Sequence, residues 1–314
     1  MSLSHAYGIP SSPEEGLAIL RAALDSGVAH LDTATLYGGG RNEELVGRAL
    51  RGRRDEVVLA SKGGMAIVDG TRVIDGRPAV LREQVDASLI RLGVDHIDLY
   101  YLHRWDKKVP IADSVGALAE AVEAGKIGAI GLSEVSVARL REAQRAAPIA
   151  AVQNEYSLWT RNAEIAMLEA TRELGVTLVA FSPVGRGFLS DSVADPAQLA
   201  EKDIRRPMPR FSAQNWPANA ALLPQWRALA AKAGCTPAQL ALAWLLSRGD
   251  HVVPIPGSTN IAHIRENEAA AALTIDPALL ERAGRLIGQD SVSGPRYAAQ
   301  ATGEVDAETF EDAA

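Results

Sequence analysis

HIDLYYLH, residues 96–103, is an almost unbroken apolar run that stops on a histidine. It lacks the strict polar alternation of a half-exposed strand, as expected of a strand covered on both faces. Six other stretches share that character: GVAHLD (27–32), EVVLASK (56–62), KIGAIGLS (126–133), PIAAVQ (148–153), GVTLVAFSP (175–183) and HVVPIPGS (251–258). The segments between them read as helices with definite starts. Ser12, Pro13 and Glu15 supply an N-cap, a first-turn proline and a capping-box acid; Leu17, Leu20 and Leu24 share a face, and Gly27 is the stop. Thr236, Pro237 and Gln239 repeat the arrangement, and Asp276 with Pro277 opens a third helix. Alternating strands and helices imply parallel pairing through right-handed crossovers, in either an open doubly wound sheet or a closed (β/α)8 barrel.

Two features choose the barrel. An open sheet built for a dinucleotide usually carries G-x-G-x-x-G at a strand-to-helix turn, and neither GGG (38–40) nor GRG (185–187) fits that pattern. Asp32, Lys62, His103, Ser133, Gln153, Ser182 and Ser258 each close a different strand. Polar groups delivered at the C-terminal ends of so many strands are the layout of a barrel's active face. No linker or charge run divides the chain, so residues 1–314 are predicted to form a single TIM-barrel domain. The irregular stretch 190–217 is expected to cross the barrel mouth.

Composition narrows the setting. A net charge of -7 argues against bulk nucleic acid or an anionic membrane face as partner. The single cysteine, Cys235, excludes an internal disulfide framework and fits a reducing compartment. No basic N-terminal segment precedes an apolar leader, and no run reaches the roughly 18 apolar residues of a membrane span, so a cytoplasmic protein is expected. With neither H-E-x-x-H nor paired C-x-x-C motifs, no metal site is predicted.

Four of the strand-end residues make chemical sense together. A histidine, lysine or aspartate alone at such a position is as well explained by packing or capping. In LDTATLYGGGRNEELVGRAL, however, Asp32 closes a strand and Tyr37 follows in a loop, while Lys62 ends the next strand where it points into the mouth. A tyrosine with its ordinary pKa near 10 is a poor proton donor, and an ammonium nearby is expected to lower that value. Lys62 is the candidate ammonium, Asp32 the carboxylate that keeps it charged, and His103 a donor that polarises a carbonyl oxygen beside Tyr37. Four side chains cannot supply a hydride, so a cofactor is implied.

The chain resembles the aldo-keto reductases, and within them the plant and bacterial branch of short-loop NADPH-dependent enzymes. The likeness runs from about residue 4 to about residue 297 through LDTATLYGGGRNEELVGRAL, DLYYLHR, GKIGAIGLSEVS, AVQNEYSLW, VAFSPVGRGFL, TPAQLALAWLL and VPIPGSTNIAHIREN, all in family order. The resemblance implies that Asp32, Tyr37, Lys62 and His103 are a catalytic tetrad, with Tyr37 the general acid in reduction of a small aldehyde or ketone. It implies NADP as cofactor. Ser133 and Gln153 would then hold the nicotinamide carboxamide, with Glu134 standing where many relatives have asparagine, and Phe181 would stack on the ring. Ser182, Gly185 and Gly187 would approach the pyrophosphate. Gly257, Ser258, His263, Glu266 and Asn267 would line the adenosine end, with Gly257 and His263 where well-known relatives place a lysine and an arginine around the 2'-phosphate.

Relatives also place a strand just before the first residues seen here. MSLSHAYG therefore reads as the tail of that strand, and the expected barrel is one whose first strand and N-terminal hairpin are truncated, residues 1–5 running along the slot between the strands that end at Asp32 and Ser258. Two other functions compete with the reductase: a barrel enzyme that uses Lys62 as a Schiff base, and a regulatory protein that keeps the fold and the nucleotide without significant turnover. Trp105 and Trp159 are candidates either for pocket walls or for packing, while Cys235, His30 and His96 are read as structural.

Overall fold

Each of the seven apolar runs contains a strand, but in HVVPIPGS only Val252–Pro254 pairs, so Ser258 lies beyond the strand it was expected to close. The computed structural model describes residues 3–4 and 6–310. In chain order its strands are β1 (His30–Asp32), β2 (Val58–Gly63), β3 (Met65–Val68), β4 (Thr71–Ile74), β5 (Ile97–Leu102), β6 (Ile127–Ser133), β7 (Ile149–Glu155), β8 (Thr177–Phe181) and β9 (Val252–Pro254). All but β3 and β4 pair in parallel, in the order β1-β2-β5-β6-β7-β8-β9. This curled parallel sheet with helical crossovers is the (β/α)8 barrel architecture, and seven of its strands lie among the described residues.

The helices start where the sequence places their caps. Ser12 and Glu15 form a reciprocal capping box on Pro13–Ser26, which Gly27 ends at φ 101°. Thr236 and Gln239 do the same for Pro237–Leu246, and Asp276 caps Pro277–Leu286. The large core fills the space between sheet and helices, whereas the inside of the barrel holds a small cluster of Ala60, Tyr101, Ala151 and Val179. Tyr101 fits there because β6 carries a glycine opposite: a Cβ on Gly131 would lie 2.3 Å from the Tyr101 ring. That is well inside contact distance, so the pair is a large residue packed against an obligate small one.

Three regions refine the sequence reading. Residues 64–78 hold an antiparallel hairpin, β3 and β4, turned by Asp69 and Gly70, both at positive φ. Asp-Gly between short apolar runs is the signal for such a turn. Within the 190–217 stretch, Ile204 N–H donates to the Ala6 carbonyl, Asp203 accepts from Gly8 N–H, and Arg205 donates to the Arg186 carbonyl in the turn after β8. As to the expected path of residues 1–5 along the slot, residues 1, 2 and 5 lie outside the described ones. Ser4 accepts a hydrogen bond from Asn42 and packs on Gly38, so with Ala6 and Gly8 it marks a path over the C-terminal ends of the strands.

Candidate functional site

The ends of β1, β2 and β5 bring the four candidate residues together. Lys62, the last residue but one of β2, is fully buried, an unfavourable place for an ammonium unless it is paired. It is paired: its Nζ bonds Asp32 Oδ1 at the end of β1, donates to the Thr33 carbonyl at 2.9 Å and lies 3.4 Å from the Tyr37 hydroxyl. Gln153, from across the barrel, donates to the other Asp32 oxygen at 2.8 Å. His103 follows β5, its backbone N–H tied to the Gly63 carbonyl, and its ring meets Tyr37 edge-on at 5.7 Å between centroids. Tyr37 reaches this position because Gly38, Gly39 and Gly40 all adopt positive φ, between 62° and 92°, in the turn behind it. Side chains with a Cβ would strain that turn.

The electrostatics differ from the sequence expectation in one respect. Burial drives the Tyr37 phenol upward, and although the Lys62 ammonium pulls it down, the net shift is up. Desolvation of the phenolate outweighs one ammonium that is itself shared with Asp32. Burial alone would depress Lys62, but Asp32 and then Tyr37 reverse that, so it stays an ammonium with a raised pKa.

The other strand ends frame the same mouth. Ser133, at the end of β6, accepts from the Arg104 guanidinium at 3.1 Å. Phe181 ends β8 half-buried, its ring 5.9 and 5.6 Å from the guanidinium carbons of Arg186 and Arg296. Glu134, Ser182 and Arg186 all sit at positive φ without being glycine. Such backbones cost about 1 kcal/mol or more each and persist where the surroundings fix them. The surroundings here are a buried charge network. Glu155 Oε2 accepts from Arg186 at 2.6 Å, from Arg296 at 3.0 Å and from the Tyr297 hydroxyl at 3.1 Å, while Arg296 also bonds Glu134 at 2.6 Å. Burial would raise the Glu155 carboxyl, but Arg186 and Arg296 hold it far below the usual carboxylate range.

Known proteins are similar to this chain in sequence and architecture. The profile of the aldo/keto reductase family matches residues 1–284. The chain is 41% identical over 297 residues to aldo-keto reductase str7 of Strobilurus tenacellus, covering 93% of this chain and 87% of that protein. The chain belongs to the aldo/keto reductase family. Among solved structures it is similar to the glycerol dehydrogenase AKR11B4 from Gluconobacter oxydans, with a TM-score of 0.83 and 28% identity over 90% of this chain and 87% of the other. It is also similar to an aldo/keto reductase from Klebsiella pneumoniae in complex with NADP and acetate, with a TM-score of 0.68 and 27% identity over 91% and 90% of the two chains.

As an aldo/keto reductase the protein is an oxidoreductase of small carbonyl compounds, from a family that works with a nicotinamide cofactor. The donor set at the mouth suits such a group. The amide of Gln153 and the hydroxyl of Ser133 face it from neighbouring strands, with the half-buried ring of Phe181 on the next strand. Gly185 and Gly187 form a tight turn beyond Ser182; a Cβ on Gly185 would press on Trp159 at 2.9 Å and one on Gly187 on Ser192 at 2.7 Å. Farther out, Ser258 and Asn260 bond each other ahead of the helix Ile261–Ala269, where His263 and Gly257 are exposed. Glu266 is held by the Thr236 hydroxyl at 2.5 Å and Asn267 is half-buried on the same helix.

Several residues fall outside that site. Trp105 stacks on Arg139 and donates to the Val109 carbonyl, and Trp159 is buried against Phe188 and Phe211. His96 bonds the Gly125 carbonyl, and burial lowers His30 and raises the Cys235 thiol. Among the described residues no group of acidic, histidine or cysteine side chains could hold a metal, and no helix is long and apolar enough to cross a membrane. Sequence reading alone did not single out Arg104 or the Glu155, Arg186 and Arg296 network. The network's partners lie up to 162 residues apart, a separation no local motif reveals.

Proposed function

We propose that the protein is an NADP-dependent reductase that converts an aldehyde or ketone to an alcohol, with Tyr37 as general acid. The observation that carries this reading is the convergence of Asp32, Tyr37, Lys62 and His103 from three adjacent parallel strands on one point at the barrel mouth. Bound nicotinamide supplies the hydride. Tyr37 donates the proton to the carbonyl oxygen, His103 polarises that oxygen, and Lys62 stabilises the phenolate left behind. Asp32 and Gln153 hold Lys62 charged and in place. In the reverse direction the same phenolate accepts the proton of an alcohol. Gln153 and Ser133 are assigned to the carboxamide, Phe181 to the ring face, Ser182, Gly185 and Gly187 to the pyrophosphate, and Gly257, Ser258, His263, Glu266 and Asn267 to the adenosine end. We further read residues 1–314 as one domain and, from the single cysteine, place it in the cytoplasm.

The raised pKa and firm pairing of Lys62 disfavour the Schiff-base alternative, which needs a neutral amine. Loss of NADPH absorbance on adding a panel of aldehydes and ketones tests the reading. Wild-type protein should turn over at least one of them, and Tyr37→Phe should lower kcat by about a hundredfold or more with NADPH affinity retained. No turnover with any carbonyl would favour a regulatory protein, and a Tyr37→Phe variant with more than about half the wild-type single-turnover rate would remove Tyr37 from the proton-donor role.

A further inference from the structure

We infer that Arg104 makes this site selective for carbonyl compounds that carry a carboxylate, an inference that rests on the reductase reading. Arg104 directly follows His103 at the top of β5 and is half-buried. Its Nη1 is spent on the site itself, donating to the His103 carbonyl at 2.7 Å and to Ser133 at 3.1 Å. Those two bonds fix the plane of the guanidinium against the two strand ends that flank the reacting position. The Nε and Nη2 donors have no partner among the described residues, and no carboxylate there pairs with this cation.

The other mouth cations are differently placed. Arg186 and Arg296 share Glu155, Arg296 also holds Glu134, and Arg205 pairs with Asp203. Arg210 lacks a carboxylate but donates to the Trp159 and Gly294 carbonyls and the Thr160 hydroxyl. Lys62 is taken by Asp32. Among these cations, and counting partners among the described residues, Arg104 is the one that combines two unbonded donor nitrogens with no carboxylate partner, and its charge reaches the Tyr37 phenol, where it favours the phenolate.

A planar guanidinium with two open donors matches a carboxylate, and the pairing is worth most where water is partly excluded. A substrate whose carboxylate is anchored on Arg104 would have its carbonyl a few bonds away, beside Tyr37 and His103. In a protein of net charge -7, long-range attraction does not favour acids, so the selectivity has to come from this local contact.

Matched probes separate charge from shape: 2-, 3- and 4-formylbenzoate, each compared with the corresponding formylbenzamide. For the best-fitting isomer, wild-type kcat/KM should favour the acid over the amide by at least about tenfold. That ratio should fall to about one in Arg104→Gln and be partly kept in Arg104→Lys. A wild-type protein that prefers no acid over its amide would overturn the proposal. So would an Arg104→Gln variant with an unchanged ratio and equal losses on both compounds, since that assigns Arg104 to holding Ser133. Calorimetric binding of each pair to NADP-loaded protein reads the same preference without turnover. If no aldehyde is reduced at all, the reductase reading fails, while tighter binding of the acid by wild type than by Arg104→Gln still supports the anion contact and equal binding refutes it.

Discussion

Tyr37 is a reluctant acid in this setting, and that suits its proposed task. Burial keeps the phenol protonated across the physiological range, while Lys62 limits how unfavourable the phenolate becomes once the proton has left. The two effects oppose each other, so removing one exposes the other. Lys62→Met should therefore reduce kcat/KM for reduction by about tenfold or more. In reduction Tyr37 must be protonated, so activity falls as pH rises through its pKa. Without the ammonium that pKa lies higher still, and the alkaline limb of the kcat/KM profile should move upward. A profile whose limb stays in place would detach Lys62 from the phenol and leave it a structural partner of Asp32.

At the scale of elements, the parallel strands were legible because a strand covered on both faces must be apolar until it reaches the mouth, where polar residues are selected by chemistry. His103, Lys62 and Asp32 stood out by that contrast. The hairpin of β3 and β4 was less legible, since its exposed strands carry Ile67, Val68 and Val73 without burying them, and only Asp69 and Gly70 signalled a turn. Gln153 was placed on the right strand, but its bond to Asp32 lies across the barrel and has no trace in local pattern. The helix Ile261–Ala269 carries a question of its own. With His263 and Gly257 exposed near its start, it presents fewer fixed cations than two basic residues would, so NADPH should be preferred over NADH only modestly. His263→Arg supplies a permanent, forked donor and should raise the ratio of NADH to NADPH dissociation constants several-fold, to about tenfold. Fluorescence titration of both nucleotides measures it. An unchanged ratio would mean that this helix does not face the 2'-phosphate.

Across the whole molecule, residues 296–308 are strapped over the loops after the strands by charge and hydrogen bonds. Arg296 and Tyr297 enter the Glu155 network, Asp306 bonds the Ser136 hydroxyl at 2.8 Å, and Glu308 accepts from the Val137 N–H at 2.7 Å. Arg72 on β4 reaches Glu304, and Lys107 reaches the Gly303 and Val305 carbonyls. The anchor of this strap is Glu155, a buried carboxylate between two guanidiniums. Replacing it by glutamine leaves Arg186 without its ion pair and Arg296 with Glu134 alone, and unpaired buried charge is costly. Glu155→Gln should lower stability by about 3–5 kcal/mol, seen as a fall of several degrees in Tm. The pH dependence identifies the source. Because the folded carboxyl lies far below the ordinary value of 4.5, its contribution is complete above that value and is lost as pH falls toward the folded pKa. The gap in Tm between wild type and Glu155→Gln should thus be constant from pH 7 to about 5 and narrow steadily below about pH 4.5. A gap that stays the same down to pH 3 would show that the loss comes from packing, and the charge network would then not be what holds residues 296–308 in place.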